Sequence, residues 1–272
     1  MPNSAVDRVR DAVSERAELP NMSLLEHLDE LRKRVVYSAM GIAIGFAVAW
    51  GFWKQIFDVM QRPVAHAMAI NHLSPQLVYT NPMDPFNLQI KIALVAGIFI
   101  SCPWILYQVW QFITPALYRN EKGYVLPFLF STVGLFIGGG LFGYYLVYPQ
   151  ALTFLVHQGT EIKNAVPMIT INEYVSLLMT IELGLGLVFE LPILIFFLAL
   201  MGIVDHKFLI KNFRYAVLIM FAIAAVLSPT PDIMSMCTFA LPMIGLYVIG
   251  IGIAYMVHPK RRNRDRNLGA SA

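Results

Sequence analysis

Charged residues are scarce in this sequence. Only 14% of its 272 residues are Asp, Glu, Lys or Arg, whereas a typical globular protein has about 25%. Hydrophobic residues make up 57%, and the mean hydropathy is +0.61. A soluble chain of this length cannot bury so much apolar surface, so lipid must cover part of it. The composition therefore argues against an ordinary cytosolic enzyme, a disordered chain and a nucleic-acid-binding protein.

Sequence patterns that support catalysis or metal binding are also missing. The 2 cysteines, Cys102 and Cys237, lie in apolar runs, so neither a disulfide framework nor a zinc cluster is expected. The sequence has no Gly-x-x-x-x-Gly-Lys phosphate loop and no Gly-x-Ser-x-Gly nucleophile elbow. All 6 histidines fall in loops or at the ends of apolar runs. We therefore expect that the chain is not an enzyme and that it binds neither a cofactor nor a metal ion.

Six apolar stretches predict membrane-spanning helices, each of which needs about 20 residues. They cover residues 35–53, 88–110, 123–148, 173–200, 215–227 and 236–257. The fifth is short, at about 20 Å of helix against a hydrocarbon core of about 30 Å. Two explanations remain open: the bilayer thins around it, or the helix extends through Arg214 and Lys211, whose charged ends reach the surface.

The positions of the basic residues predict the orientation of the chain. Six spans place both termini on the same side. Sixteen of the 20 Lys and Arg lie in the tails and in the loops on that side, against three on the opposite side. Because cytoplasmic loops are rich in Lys and Arg, both termini are expected in the cytoplasm. We expect a flexible extension at residues 1–22, a six-helix membrane domain at 23–257 and a basic cytoplasmic tail at 258–272.

The outer loops at residues 54–87 and 149–172 are long and contain prolines. Apolar residues in the first of them predict amphipathic caps at the membrane surface. These residues are Ile56, Phe57, Val59 and Met60.

Besides Glu173 at the outer end of the fourth span, three charged residues fall within the predicted spans: Lys91, Glu182 and Glu190. A carboxylate at the bilayer centre costs about 2.5–3.5 kcal/mol. Glu190 precedes Pro192, which is expected to kink the fourth helix there. Glu182 lies about 12 Å earlier along the same helix. Two roles remain open for each acid. It forms a polar site that binds a partner or carries protons, or it is a protonated acid hydrogen-bonded to a neighbouring span. Lys91 is near the outer end of the second span, and we expect it to extend to the surface.

Two segments next to the spans carry mixed polar and apolar residues. Leucines at positions 24, 25, 28 and 31 form a helical stripe that leads into the first span. Within this stripe, Glu30 and Arg34 are four residues apart and predict an intrahelical ion pair of about 0.3–0.5 kcal/mol. After the second span, Tyr107 and Trp110 are typical of the membrane interface.

Four motifs follow one another along residues 23–257. They are His27-Leu28-x-Glu30-Leu31-Arg32-x-Arg34, then Tyr107-Gln108-x-Trp110-x-Phe112-x-x-Pro115-Ala116-Leu117 with Glu121 four residues on, Phe189-Glu190-x-Pro192, and Ser228-Pro229-x-Pro231-Asp232. In this order the motifs resemble the TatC family, the multi-spanning core subunit of the twin-arginine protein translocase. The resemblance implies an all-α membrane fold that is concave like a cupped glove, with a short fifth helix.

The resemblance also implies a binding site for signal peptides that carry two consecutive arginines on folded proteins. Glu30 and Glu121 match the family's recognition site, and Phe112 matches a position near it, with packing as its alternative role. Carboxylates accept the forked guanidinium group of arginine through two hydrogen bonds. An exposed ion pair contributes only about 0–1 kcal/mol, so the apolar segment of the signal peptide must add affinity.

Further positions carry over from the same motifs. Glu190 matches the family's acidic position in the fourth span and is a candidate contact for partners, with Glu182 as the weaker candidate. Pro103, Pro115, Pro192 and Asp232 are expected to serve the structure of the motifs.

The implied partners are the single-span subunits TatA and TatB, further copies of the chain and the lipid of the cytoplasmic (inner) membrane, with no nucleic acid. Transport would use the transmembrane proton gradient. One alternative is a proton-coupled small-solute transporter with Glu182 and Glu190 as proton carriers, although the sequence shows no repeated halves. An intramembrane enzyme is a weaker alternative, since no nucleophile and base lie together at depth.

Overall fold

The computed structural model of the chain describes residues 24–71, 76–113, 125–160, 168–200, 202–228 and 232–269. These residues are almost entirely helical, which confirms the expected all-α class. The helices are α1 (Leu24–Gly51), α2 (Trp53–Met60), α3 (Arg62–Ile70), α4 (Asp84–Ile113), α5 (Val125–Phe142), α6 (Tyr148–Thr160), α7 (Ile171–Phe189), α8 (Leu191–Leu200), α9 (His206–Lys211), α10 (Phe213–Leu227) and α11 (Ile233–Gly269).

Five segments of the described chain are long and apolar enough to cross a membrane. They are Glu26–Gly51, Asp84–Phe112, Leu129–Gly159, Ile171–Leu200 and Ile233–Met256. They correspond to the first four predicted spans and the sixth. The fifth predicted span is α10, a shorter apolar helix. The number of six spans and the cytoplasmic location of the termini stay predictions.

The third span is longer than the sequence predicts. The predicted span ends at Tyr148, but α6 continues to Thr160. A wider π-helical turn, Gly143–Val147, joins α5 to α6 directly before Pro149. Proline lacks an N–H group and its ring clashes with the carbonyl one helical turn back. The wider turn changes the hydrogen-bond pattern at that point, so the helix passes the proline without a break.

Helix α10 settles how far the short fifth span extends. It has 15 residues, which corresponds to about 22 Å. It includes Arg214, whose guanidinium carbon lies 4.8 Å from the centre of the Tyr215 ring. Helix α9 ends at Lys211 and Asn212 separates it from α10. A continuous helix through Lys211 is therefore wrong, and α10 remains shorter than the hydrocarbon core.

Helix α7 lies at the centre of the hydrophobic core. Its buried side chains recur with the spacing of one helical face, and the most deeply buried of them are Tyr174, Val175, Leu178, Ile181 and Leu185. Helix α5 approaches this face closely at a glycine. A Cβ atom on Gly139 would lie 2.6 Å from the carbonyl oxygen of Leu185, so only glycine allows this contact.

Helices α2 and α3 form a cap that packs on the core. Ile56, Phe57 and Met60 contact the core cluster, and Met60 is buried. Two tyrosine hydroxyls from the spanning helices donate to the last carbonyls of α2: Tyr144 to Val59 at 2.6 Å, and Tyr174 to Met60. Cap helices were expected here, and these hydrogen bonds show that they are fixed to the protein as well as being amphipathic.

The Lys91 side chain is half-buried and contacts the neighbouring helix α7, and its extension to the membrane surface stays a prediction. Its ammonium donates to the Asn172 side chain and, at 2.7 Å, to the Ser176 hydroxyl. Both acceptors are on α7. A polar pair on the neighbouring helix satisfies the ammonium close to its own position, and Lys91 thereby links α4 to α7.

Helices α1 and α4 form a closely packed pair that positions the site described below. A Cβ atom on Gly45 of α1 would lie 2.4 Å from the carbonyl oxygen of Gly97 on α4. Further along, the Trp104 indole N–H donates to the carbonyl of Tyr37 at 2.9 Å. As the residue number falls on α1, it rises on α4, so the two helices are antiparallel. The start of α1 therefore meets the end of α4.

Candidate recognition site at the ends of helices α1 and α4

Glu30 and Arg34 form an ion pair at the start of α1. The Arg34 Nη2 atom lies 3.1 Å from Glu30 Oε1, which confirms the predicted intrahelical pair. The Glu30 side chain is only 16% exposed and that of Arg34 25% exposed. The pair is thus partly withdrawn from water. Charges at such a partly buried position interact more strongly than at an open surface.

Two glutamines of α4 hold the other end of the Arg34 guanidinium. Its Nη1 atom donates to Gln108 Oε1 at 3.3 Å and to Gln111 Oε1. The glutamines are three residues apart and so lie on one face of α4. The Gln111 amide in turn donates to the Tyr107 hydroxyl. Arg34 therefore joins the two helices, and its partners on α4 are neutral acceptors.

The ion pair leaves two buried polar atoms without a hydrogen bond among the described residues. These are Glu30 Oε2 and Arg34 Nε. A forked arginine–carboxylate pair would use two parallel N–H···O bonds. Here only one forms, between Arg34 Nη2 and Glu30 Oε1. The second oxygen of Glu30 remains available to another donor.

An aromatic stack lies beside this cluster. The rings of His27 and Phe112 are 4.5 Å apart between centroids and 23° from parallel. Phe112 therefore packs across the helix pair one turn from Glu30, which agrees with its alternative packing role. Leu28 and Leu31 of α1 are 59% and 40% exposed, so apolar surface adjoins the polar cluster.

Part of the predicted recognition site lies outside the described residues. Glu121 and Pro115 fall in the segment 114–124. The separation of Glu30 and Glu121 therefore stays a prediction.

The acids of the fourth span lie on the α7–α8 segment. As predicted, the helix breaks next to Pro192: α7 ends at Phe189, Glu190 forms a turn, and α8 starts at Leu191. Glu190 Oε1 is buried and has no hydrogen-bond partner among the described residues. Glu182 is half-buried on α7. Within the described chain no hydrogen bond joins either acid to the Glu30 cluster, so the acids form a separate candidate site.

The two other motif residues lie in different helices. Pro103 is inside α4, which continues through it. Asp232 precedes α11, and its Oδ2 atom accepts the Ser235 backbone N–H at 2.8 Å. This is the geometry of a helix N-cap.

The contacts of Gln108 and Gln111 with Arg34 were not predicted from the sequence. Gln108 appeared only as a letter of a motif, and Gln111 was not singled out. Glutamines near the end of an apolar span are usually interpreted as residues at the membrane interface. Their spacing of three residues on a helix that precedes a charged loop was the available signal, because it places two acceptors on one face.

The fold and the site together define a multi-spanning helical membrane protein with a carboxylate–guanidinium cluster at one end of a helix pair. The family model described as Sec-independent protein translocase protein (TatC) matches residues 26–242. The chain belongs to the TatC family. This match confirms the resemblance noted from the four motifs. Members of the family are components of a protein translocase.

Several relatives match nearly the whole chain, each called Sec-independent protein translocase protein TatC. The Koribacter versatilis protein is 55% identical over 98% of this chain and 97% of its own length. The Helicobacter pylori strain 26695 protein is 38% identical over 90% and 92%. A crystal structure described as the twin-arginine translocase receptor TatC is 34% identical, with a TM-score of 0.75, and covers 86% of this chain and 100% of its own. None of these comparisons supports a small-solute transporter.

Proposed function

We propose that the chain is the signal-peptide receptor and scaffold subunit of a twin-arginine translocase in the cytoplasmic membrane. Both termini are cytoplasmic, and the complex exports folded proteins with energy from the transmembrane proton gradient. Membership of the TatC family supports this function, as does the description of a similar solved structure as a receptor. The excess of basic residues in the tails supports the orientation.

The observation that carries the proposal is the free acceptor on Glu30. Its Oε2 atom is buried without a hydrogen bond among the described residues. The other carboxylate oxygen, Oε1, forms the ion pair with Arg34 through one contact. An unsatisfied buried acceptor costs about 1–3 kcal/mol. A guanidinium from a signal peptide removes that cost when it donates to Oε2. Glu121 receives the second arginine in this proposal.

Apolar contact supplies the rest of the affinity. A few charged hydrogen bonds do not hold a long peptide, because each also orders side chains. Leu28 and Leu31 are exposed on the same helix as Glu30. They offer an apolar surface to the hydrophobic segment that follows the arginines.

Glu190 is the proposed contact for the single-span subunits TatA and TatB. Its Oε1 atom is buried and lacks a partner among the described residues, at a break in a spanning helix. A hydroxyl or amide on another membrane helix gains a hydrogen bond there at little structural cost. Further copies of the chain complete the proposed complex.

Crosslinking of a signal peptide with consecutive arginines tests the recognition site. Glu30→Gln combined with Glu121→Gln keeps side-chain size but removes both charges. We expect crosslinking to be lost while the protein stays folded in the membrane. Asp29→Asn is the matched control, because Asp29 is an exposed acid adjacent to Glu30. Undiminished crosslinking in the double variant refutes the site.

Assembly tests the role of Glu190. We expect Glu190→Ala to reduce co-purification of TatA and TatB more than signal-peptide capture. Equal loss of both would show that Glu190 supports folding instead.

A further inference from the structure

Arg34 makes only half of the ion pair that its guanidinium could form. Its Nη2 atom donates to Glu30 at 3.1 Å, and its Nη1 atom donates to Gln108 and Gln111. Its Nε atom is buried with no hydrogen bond among the described residues. The guanidinium thus donates to a carboxylate on α1 through one nitrogen and to two amides on α4 through another.

We propose that Arg34 is a resident substitute for a signal-peptide arginine, and that the peptide displaces it from Glu30. This inference rests on the proposed function. An arriving guanidinium forms the forked pair with Glu30 that Arg34 leaves incomplete. Arg34 then swings towards Gln108 and Gln111, which already hold its Nη1 atom. The two glutamines are positioning residues, because they act on the ligand only through Arg34.

The chemistry of the exchange explains selectivity as well as reversibility. Before binding, Glu30 and Arg34 neutralise each other, so a stray cation meets little net attraction. One hydrogen bond to Glu30 is broken and two parallel ones replace it, which gives a modest gain. A lysine ammonium is a point charge that cannot match the fork. It therefore displaces Arg34 poorly, and the site prefers arginine over lysine.

The exchange predicts opposite effects for two substitutions in one cluster. Arg34→Gln removes the competitor and frees both oxygens of Glu30, so the peptide binds about tenfold more tightly, or about 1.4 kcal/mol. Gln111→Leu removes one of the two acceptors that hold the displaced Arg34, so Arg34 stays on Glu30. The peptide then binds several-fold more weakly.

The test is fluorescence anisotropy of a labelled synthetic signal peptide on the purified full chain in detergent. One peptide carries Arg-Arg and the other Lys-Lys. Lys33→Gln is the matched control for Arg34→Gln, because it removes the same charge from an exposed neighbouring position. It sets the baseline for simple long-range attraction. Elution as a single species on size exclusion verifies that each variant is folded.

The inference is overturned if the Arg34→Gln variant binds the Arg-Arg peptide no more tightly than the Lys33→Gln variant does. If Arg34→Gln does not fold, Gln111→Leu decides: weaker binding supports the exchange, and unchanged or tighter binding overturns it. A wild-type protein that does not distinguish the Arg-Arg from the Lys-Lys peptide instead refutes the proposed function, and the exchange with it.

Discussion

Replacement of Gly45 by alanine is expected to separate helices α1 and α4. The added Cβ atom would lie 2.4 Å from the Gly97 carbonyl oxygen. Ordinary contact starts at 3.4 Å, so the helices must move apart by about 1 Å. The obstacle is backbone on a rigid helix, which cannot turn aside as a side chain can. Overpacking of this kind costs about 1–3 kcal/mol.

The displacement also reaches the candidate recognition site. Arg34 lies about 16 Å from Gly45 along α1. Its hydrogen bond to Gln108 is already long at 3.3 Å, so a shift of about 1 Å takes it beyond hydrogen-bonding distance. We therefore expect Gly45→Ala to lower both the free energy of unfolding and the affinity for an Arg-Arg peptide.

Unfolding by SDS in mixed micelles, followed by circular dichroism, measures the stability change. Gly138→Ala is the matched control, because a Cβ atom there has nothing within 4 Å. Alanine should stabilise that helix by about 0.5–1 kcal/mol. Equal stability of Gly45→Ala and Gly138→Ala would refute the close packing of α1 on α4.

Three further substitutions probe other contacts by the same unfolding assay. Lys91→Met removes the donor to two side chains on α7 and should lower the free energy of unfolding by about 1–3 kcal/mol. Lys54→Met, at an exposed position, should lower it little. Equal effects of the two substitutions would contradict the α4–α7 link. Tyr174→Phe should cost about 1–3 kcal/mol and speed hydrogen exchange in α2, and unchanged exchange would contradict fixation of the cap. Asp232→Ala should cost about 0.5–2 kcal/mol through loss of the α11 N-cap, and wild-type stability would exclude that role.

Hydrophobic patterns predicted the spans well because lipid constrains them strongly. A helix is the only local structure that satisfies the backbone in lipid, so apolar runs translate directly into helices. The break at Glu190 followed from Pro192, since proline removes a defined hydrogen bond. The helix beyond Tyr148 was not predicted, because it passes Pro149 by means of a π-helical turn that the hydrophobic pattern does not reveal.

Polar contacts between helices were much harder to predict. The Glu30–Arg34 pair lies within one helix, so its spacing alone predicted it. Lys91 and Gln108 depend on which neighbouring helix faces them and in what register. A single sequence does not specify that register, which here follows from glycine contacts such as Gly45 on Gly97. The central polar cluster therefore became visible only in three dimensions.

Selective capture of consecutive arginines is the decisive measurement for the proposed receptor function. The purified protein in detergent is mixed with immobilised signal peptides that differ only in Arg-Arg or Lys-Lys, and the bound fraction is measured. We expect strong retention on the Arg-Arg peptide and little on the Lys-Lys peptide. Equal retention on both peptides, at a salt concentration that suppresses non-specific attraction, would contradict it.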